Sequence, residues 1–380
     1  MPKQKRTSKN FDTNESPSKK KAIDKESTSE IDNNLTSQIQ ENLIIKESIE
    51  DFLIVVGSYE RILYGINGCW VKSDQNDFDK CKPSLRFDPT FIFPAHIGCI
   101  KAVAVGSRYL ASGSTDEIIK LYDIKKRKEI GSLLQHDGSI TTIQFYNKTH
   151  MISGSEDGTL CIWRTKDWEC LKILKGHKGR VNSVDIHPSG KIALSVSSDK
   201  TVRLWNLLTG RKASANKLGR EGEMVIWNPS GDHYAILMGQ EIEIYNTTDG
   251  QVTQKFQLNS RYLCMRYFAH DTLGDLLITG SEDKSVRVYN VKYGDCIATY
   301  MGHKSRIKDI SIICSIPPTY STPFSLLTSI SSDGMINVWI LDEIWSNKEQ
   351  TPNVIITTPL ASYDTKSRLT CVALSQAFND

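Results

Sequence analysis

The sequence predicts an all-β protein, a seven-bladed β-propeller closed by strands from both ends of the chain. Three observations lead to this prediction. A unit of short strands recurs along the chain, an aspartate marks its tight turn in most copies, and the strand missing from the first copy reappears near the C-terminus. A single three-stranded unit leaves faces and edges uncovered, so the copies must pack side by side to be stable.

The clearest copy of this unit spans residues 175–206. Residues 181–186 alternate in polarity, as a half-buried strand does. An apolar strand follows after a Pro-Ser-Gly turn, and residues 201–206 form a β-branched strand with Trp205 near its end. Asp199 lies in the tight turn before that last strand, where aspartate is a favoured residue.

Five copies share an aspartate in the turn, an aromatic residue six positions later and a small hydroxyl residue four positions earlier. The aspartates are Asp116, Asp157, Asp199, Asp283 and Asp333. The aromatic residues are Tyr122, Trp163, Trp205, Tyr289 and Trp339. The hydroxyl residues are Ser112, Ser153, Ser195, Thr279 and Ser329. Four copies open with a histidine: His96, His136, His177 and His303. A period of about 40–45 residues with these marks is typical of WD40 blades.

Two further copies lack the turn aspartate and carry Glu60 or Gly239 in its place. The copy around Glu60 also lacks its first strand, and residues 367–375 have the shape of that missing strand. We therefore predict seven blades, the first built from both termini, which closes the ring by strand hydrogen bonds and leaves no open edge. Residues 354–358, ahead of the closing strand, are a candidate outer strand.

Residues 1–50 differ from the rest of the chain because they are rich in lysine, serine, asparagine and glutamate and have little apolar surface to bury. We predict a disordered tail over residues 1–50, basic at its start, followed by the propeller over residues 51–376. Residues 3–6 and 19–21 together have the form of a two-part nuclear-import signal. A solvated tail that only aids solubility is the alternative.

The composition narrows the class of function. A net charge of +3 is too small to indicate wholesale binding to nucleic acid or membrane. Nine cysteines without a CxxC pair fit reduced thiols better than a disulfide scaffold. The sequence has no apolar stretch of about 20 residues and no P-loop, HExxH or GxSxG motif. We expect no cofactor, no metal site, no membrane contact and no small-molecule substrate.

The recurring His–Ser–Asp–Trp set is similar in composition to a catalytic triad. Its three full copies are His177, Ser195, Asp199 and Trp205; His136, Ser153, Asp157 and Trp163; and His303, Ser329, Asp333 and Trp339. An enzyme needs one such site, so recurrence favours a structural relay in which histidine bridges a hydroxyl and a carboxylate. We therefore expect no catalytic residues and no enzymatic activity.

One basic feature is not required by the fold. Inner strands line the channel of a propeller, so the residues that begin them are expected at its mouth, together with the turn aspartates. The basic residues in these positions are Arg180, Arg261, Arg306, Arg368, Lys178, Lys200, Lys284 and Lys304. We hypothesise a basic ring that receives an acidic peptide or the phosphates of structured RNA. The alternative is a solvated rim neutralised by acidic neighbours such as Asp309 and Glu282.

Three stretches resemble one particular WD40 family: HPSGKIALSVSSDKTVRLWNLLTGRKA (187–213), WNPSGDHYAI (227–236) and VVGSYERILYGI (55–66). The family is that of the p21-activated-kinase-interacting proteins and their fungal relatives, which are named for maintenance of killer virus. The resemblance covers roughly residues 50–340, and the first stretch is its most specific part.

The resemblance implies a non-enzymatic scaffold and assembly factor for the large (60S) ribosomal subunit, acting in rRNA processing and maturation in the nucleus and nucleolus. The implied partners are pre-60S ribosomal proteins and assembly factors, with rRNA as a further candidate. A second implied role is negative regulation of a p21-activated kinase by direct binding, as a signalling adaptor.

Overall fold

The structure is a computed structural model of the chain and describes residues 50–71, 83–316, 323–342, 344 and 353–376. These residues contain 29 strands in seven sheets. The innermost strands of successive sheets contact one another in a closed cycle around a central channel. The prediction of an all-β, seven-bladed propeller is confirmed.

We number the blades from the N-terminus. Blade 1 takes three strands from the start of the described chain: β1 (Glu50–Ser58), β2 (Ile62–Val71) and β3 (Ser84–Pro94). Blade 2 contains β4 (Ile100–Gly106), β5 (Tyr109–Ser114), β6 (Ile119–Asp123) and β7 (Lys128–Leu133). Blade 3 contains β8 (Ile140–Tyr146), β9 (His150–Ser155), β10 (Thr159–Arg164) and β11 (Glu169–Lys175). Blade 4 contains β12 (Val181–Ile186), β13 (Ile192–Ser197), β14 (Thr201–Asn206) and β15 (Arg211–Lys217).

The remaining blades follow in chain order. Blade 5 contains β16 (Met224–Trp227), β17 (His233–Met238), β18 (Glu241–Asn246) and β19 (Val252–Gln257). Blade 6 contains β20 (Tyr262–His270), β21 (Gly274–Ser281), β22 (Ser285–Asn290) and β23 (Cys296–Met301). Blade 7 begins with β24 (Ile307–Ser315), β25 (Phe324–Ser331) and β26 (Met335–Ile340). The last three strands of the chain are β27 (Val354–Ile356), β28 (Ala361–Asp364) and β29 (Leu369–Gln376).

After β26 of blade 7, the next strand in the chain joins blade 6, and the strand after that belongs to blade 7 again. The candidate outer strand at residues 354–358 is present as β27, which pairs in parallel with β23 and so becomes a fifth strand of blade 6. The outer strand of blade 7 is β28, which pairs antiparallel with β26. The excursion covers the otherwise unpaired edge of blade 6, and covered edges protect a sheet from pairing with other chains.

Blade 1 is built from both ends of the chain. Its innermost strand is β29, which pairs antiparallel with β1 and sets Leu374 opposite Ile54 and Val372 opposite Val56. The tail expected at residues 1–50 lies outside the described residues, apart from Glu50 at the start of β1. The ring is therefore closed by ordinary strand hydrogen bonds between segments more than 300 positions apart.

Seven apolar clusters fill the seven gaps between neighbouring blades. Each sheet is thus covered on both faces, which explains why the middle strands are apolar on both sides. Small residues allow the close approach: a Cβ on Gly113 would lie 2.4 Å from the side chain of Ile140 on the next blade, and one on Gly280 would lie 2.5 Å from Ile307. Glycine is needed at these positions because the next inner strand occupies the space of a side chain.

Candidate functional site

The clearest recurring constellation lies in blade 4. His177 Nδ1 lies 3.0 Å from Asp199 Oδ2, and His177 Nε2 lies 2.7 Å from Ser195 Oγ. Trp205 Nε1 donates to the same hydroxyl at 2.8 Å. The carboxylate of Asp199 also accepts the backbone N–H of Lys178 at 2.9 Å. The relay therefore ties the turn between β13 and β14 to the loop that leads into β12.

Blade 3 repeats this geometry. His136 lies 3.0 Å from Asp157 and 2.8 Å from Ser153, whose hydroxyl accepts from Trp163 at 2.9 Å. In both blades the histidine side chain is almost completely buried, with 1% of it exposed at His136 and none at His177. A buried imidazole cannot contact a substrate, so the geometry suits a structural role.

Blade 7 carries a looser version of the relay. His303 Nε2 lies 2.9 Å from Ser329 Oγ, and Trp339 donates to that hydroxyl at 2.9 Å. His303 Nδ1 lies 3.5 Å from Asp333, which is too long for a strong hydrogen bond. Asp333 still accepts the backbone N–H of Lys304 at 2.7 Å, so the loop before β24 is held.

Blade 6 has the turn aspartate but no opening histidine, and an arginine takes its place. Arg287 donates to Asp283 at 2.6 Å, and Ser281 and Ser285 each donate to the same carboxylate at 2.5 Å. This arginine was missed at the sequence level. Its signal was the third position of the strand SVRVYN, which matches TVRLWN in blade 4, where Arg203 approaches Asp199 to 3.8 Å.

Blade 1 closes its loop with a glutamate. Glu60 Oε2 accepts the backbone N–H of Arg368 at 3.0 Å, as the turn aspartates do elsewhere. Tyr64 and Ser367 share a hydrogen bond of 2.6 Å beside it. The loop that enters β29 is therefore fixed to the turn that follows β1.

The protonation states follow from burial and hydrogen bonding. Burial lowers the pKa of His177, although the hydrogen bond and charge of Asp199 oppose the change. Burial by itself would raise the pKa of Asp199, but hydrogen bonds from Thr201, Lys178 and His177 outweigh it and hold that pKa far below its usual range. The relay thus combines a firmly ionised carboxylate with an imidazole that resists protonation.

A second set of hydrogen bonds joins the inner strands around the channel. Asp185 on β12 accepts the backbone N–H of Trp227 on β16 at 2.6 Å, and Asp309 on β24 accepts that of Val372 on β29 at 3.0 Å. Gln144 on β8 accepts a backbone N–H of β12 at 3.0 Å. Asp309 therefore binds the neighbouring inner strand and does not serve as the acidic rim neighbour considered from the sequence.

The eight basic residues expected at the channel mouth fall into two groups. The arginines that precede the inner strands of blades 4 and 6 are paired: Arg180 lies 3.0 Å from Glu221, and Arg261 lies 2.8 Å from Glu223. Both glutamates lie just before β16 of blade 5, so each of these two arginines has a carboxylate partner. Lys178 and Lys200 are exposed on blade 4 as well.

The other four lie together across blades 6, 7 and 1. Lys284, Lys304, Arg306 and Arg368 line one open basin of about 670 Å³, which we call the basic basin. Among the described residues, Glu282 is the only carboxylate in its lining, and it lies 3.6 Å from Arg306. Four positive charges therefore face one negative charge.

Lys308 adds a further cation beside the basic basin, two positions after Arg306 on the inner strand of blade 7. It is partly buried, and within the described part of the chain no carboxylate forms an ion pair with it. Burial alone would lower its pKa, and the positive charges of Arg306 and Arg368 add to that effect.

The parts of the chain that the structure describes contain no candidate metal site, disulfide bond or membrane-spanning helix. No group of three or more histidine, cysteine, aspartate or glutamate residues there is arranged to hold a metal ion. The cysteines in these ranges are free thiols. Among the same residues, no helix has the length and apolar character needed to cross a membrane.

We predict that Asp199→Ala lowers the free energy of unfolding by about 3 kcal/mol, because it leaves His177 and a backbone N–H without their acceptor. Chemical denaturation measures this loss. Lys178→Ala is the matched control, since it keeps the backbone donor and should change stability by less than about 0.5 kcal/mol. An equally small effect of Asp199→Ala would contradict the relay's structural role.

We predict a pH-dependent effect of Asp185→Asn. Burial raises the pKa of Asp185 from 3.8 to about 6, despite hydrogen bonds from Trp227 and Gln144. Stability contributed by the protonated acid is present at low pH and is lost as the pH rises through about 6. Asparagine does not ionise, so from pH about 4 to pH about 7 the variant should gain on the order of 2 kcal/mol relative to the parent.

Denaturation curves at the two pH values measure this difference. Asp249→Asn, in an exposed turn, controls for the loss of one formal charge. If the difference between Asp185→Asn and the parent is the same at both pH values, the carboxyl of Asp185 is not perturbed as described.

Comparison with known proteins agrees with this geometry. The family model described as "WD domain, G-beta repeat" matches residues 87–123, 127–164, 168–206, 258–290 and 294–339. The matched ranges leave out the two copies whose turns carry Glu60 and Gly239.

Similar proteins extend over most of the chain. A p21-activated protein kinase-interacting protein 1-like protein of Danio rerio is 36% identical over 84% of this chain and 80% of its own length. Protein MAK11 of Saccharomyces cerevisiae is 36% identical over 85% and 83%. The p21-activated protein kinase-interacting protein 1 of Homo sapiens is 35% identical over 84% and 76%. The chain belongs to the WD40-repeat family of the p21-activated-kinase-interacting proteins and their fungal MAK11 relatives.

Proposed function

We propose that this protein is a non-enzymatic scaffold that helps to assemble the large ribosomal subunit and supports rRNA maturation. It would act in the nucleus and nucleolus and dock pre-60S proteins, assembly factors or rRNA on the face that carries the basic basin. The pathway comes from the family resemblance. The docking role comes from the site itself, a rigid ring with an unbalanced basic surface at one mouth.

The observation that carries this proposal is the asymmetry of charge on one face. Arg180 and Arg261 are each paired with a glutamate, whereas the four clustered cations of the basic basin share a single carboxylate in its lining. Unpaired cations on a pre-formed surface attract anionic partners and orient them before contact. The side chains of the recurring histidines are buried, so the face does not present them to a partner.

The second candidate function is restraint of a p21-activated kinase by direct binding. The names of several relatives favour it, including the human p21-activated protein kinase-interacting protein 1 and a Shk1 kinase-binding protein of Schizosaccharomyces pombe, which is 29% identical over 77% of this chain. The two functions predict different associations for the protein. A ribosomal factor travels with large-subunit precursors, while a kinase regulator binds the kinase in their absence.

We predict that the tagged protein co-sediments with large-subunit precursors on sucrose gradients, and that Lys284→Ala/Lys304→Ala/Arg306→Ala moves it toward the free fractions. The reason is the loss of most of the positive charge in the basic basin. The control Lys178→Ala/Lys200→Ala removes charge from the same face in another blade and should stay with the precursors. Thermal melting checks that each variant folds.

Absence of the parent protein from precursor fractions would overturn the ribosomal proposal. If the purified parent then binds the regulatory segment of a p21-activated kinase, the second function replaces the first.

A further inference from the structure

The basic basin gathers charges that the fold does not need. Lys284 lies in the turn between β21 and β22, Lys304 and Arg306 in the loop before β24, and Arg368 just before β29. Of these side chains only Arg306 has a carboxylate partner among the described residues, at 3.6 Å from Glu282. A long and exposed pair of this kind contributes little to stability. The cations are therefore available to a ligand.

Lys284 has a strained backbone conformation that a glycine would adopt without strain. Its φ is 73°, in the left-handed region, while the equivalent turns of blades 3 and 7 have Gly158 at 81° and Gly334 at 86°. A non-glycine residue in this region is strained by about 1 kcal/mol. Lys200 has the same feature in blade 4, at 60°. This gives two equivalent lysines, one inside the basic basin and one outside it.

An exposed aromatic residue borders the basic basin on the side of blade 1. Tyr59 is 58% exposed, and the guanidinium of Arg368 covers one face of its ring at 5.3 Å. The positive surface thus continues into an aromatic side chain, a residue type that protein partners use as an anchor.

The carboxylates nearby argue for a peptide and against a nucleic acid. Glu282 lies in the lining of the basic basin, and Glu60 accepts the backbone N–H of Arg368. The backbone of RNA presents a negative phosphate at every nucleotide and would be repelled by both. A peptide instead brings backbone N–H donors that Glu282 can accept, and it can place its acidic side chains against the lysines and away from the two carboxylates. The ring of Tyr59 is also partly covered by Arg368, which reduces the surface on which a base could stack.

We propose that the basic basin binds an acidic peptide segment of a partner protein that carries an apolar residue beside its acidic ones. The carboxylates of the segment contact Lys284, Lys304 and the two arginines, and its apolar residue packs near Tyr59. This inference rests on the proposed docking function and names the chemistry of the docked partner. RNA phosphate binding is the competing outcome of the test below.

The experiment uses fluorescence anisotropy with the full-length protein. One probe is a fluorescein-labelled peptide of glutamate and aspartate with a central leucine, and the other is a labelled single-stranded RNA of equal charge. The parent should bind the peptide more tightly than the RNA, and the affinity should fall as salt rises. Replacing the central leucine by serine should weaken binding, because the apolar contact is lost.

The test variant is Lys284→Gly/Lys304→Ala. Its matched control is Lys200→Gly/Lys178→Ala, which changes the equivalent positions of blade 4. Glycine relieves the strained turn in both, so both are expected to fold. The test variant should bind the peptide about tenfold more weakly, and the control should bind it as the parent does. No binding of the peptide, tighter binding of the RNA or an unchanged affinity of the test variant would overturn the inference.

The experiments distinguish failure of the peptide-binding proposal from failure of the ribosomal proposal. If peptide binding fails and the parent still co-sediments with large-subunit precursors, the ribosomal function stands and the peptide site falls. If the peptide binds as expected and the protein is absent from precursors, the ribosomal function falls and the peptide site remains.

Discussion

The rest of the molecule depends on the antiparallel pairing of β29 with β1. Without it the first blade would lack its inner strand, and the cluster that joins blades 7 and 1 around Ile54 and Leu326 would lose one wall. Each blade covers one face of each of its two neighbours. An open ring would therefore leave two blade faces exposed to solvent. The pairing converts a row of repeated sheets into a closed body whose blades stabilise one another.

Closure matters for function because it fixes the loops at the channel mouth. The turn carboxylates Asp199, Asp333 and Glu60 each hold the backbone that leads into an inner strand. Glu60 holds the backbone N–H of Arg368 itself, and Arg306 lies two positions after Lys304, whose backbone N–H Asp333 holds. The basic basin is therefore a pre-organised surface assembled from three blades, and a ligand that binds it does not have to order the cations first.

The sequence was sufficient for the fold because the marks of a blade are local. Turn aspartates, aromatic residues at a constant spacing and β-branched strands all lie within one repeat, and the missing strand at residues 367–375 could be found by its likeness to the others. The edge pairing of β27 was not predictable, because a short β-branched run fits any exposed edge. The contact of Arg287 with Asp283 depends on how far the arginine side chain reaches, and the match of SVRVYN to TVRLWN was the sequence signal for it.

The pairing of charges around the channel mouth could not be predicted from the sequence alone. Arg180 and Glu221 are 41 positions apart, and Arg261 and Glu223 are 38 apart, so their pairing follows from blade packing and not from a local motif. The sequence indicates basic residues around the whole mouth, whereas the structure pairs two of the arginines with glutamates and gathers four of the other cations in one basin.

Native-state hydrogen exchange tests the closure most directly. The account predicts that backbone amides of β1 and β29, near Val55 and Ala373, exchange only through global unfolding, with the same free energy as amides of β13 in blade 4. Exchange of the β1 and β29 amides at a clearly lower free energy, through local separation of the two termini, would contradict it.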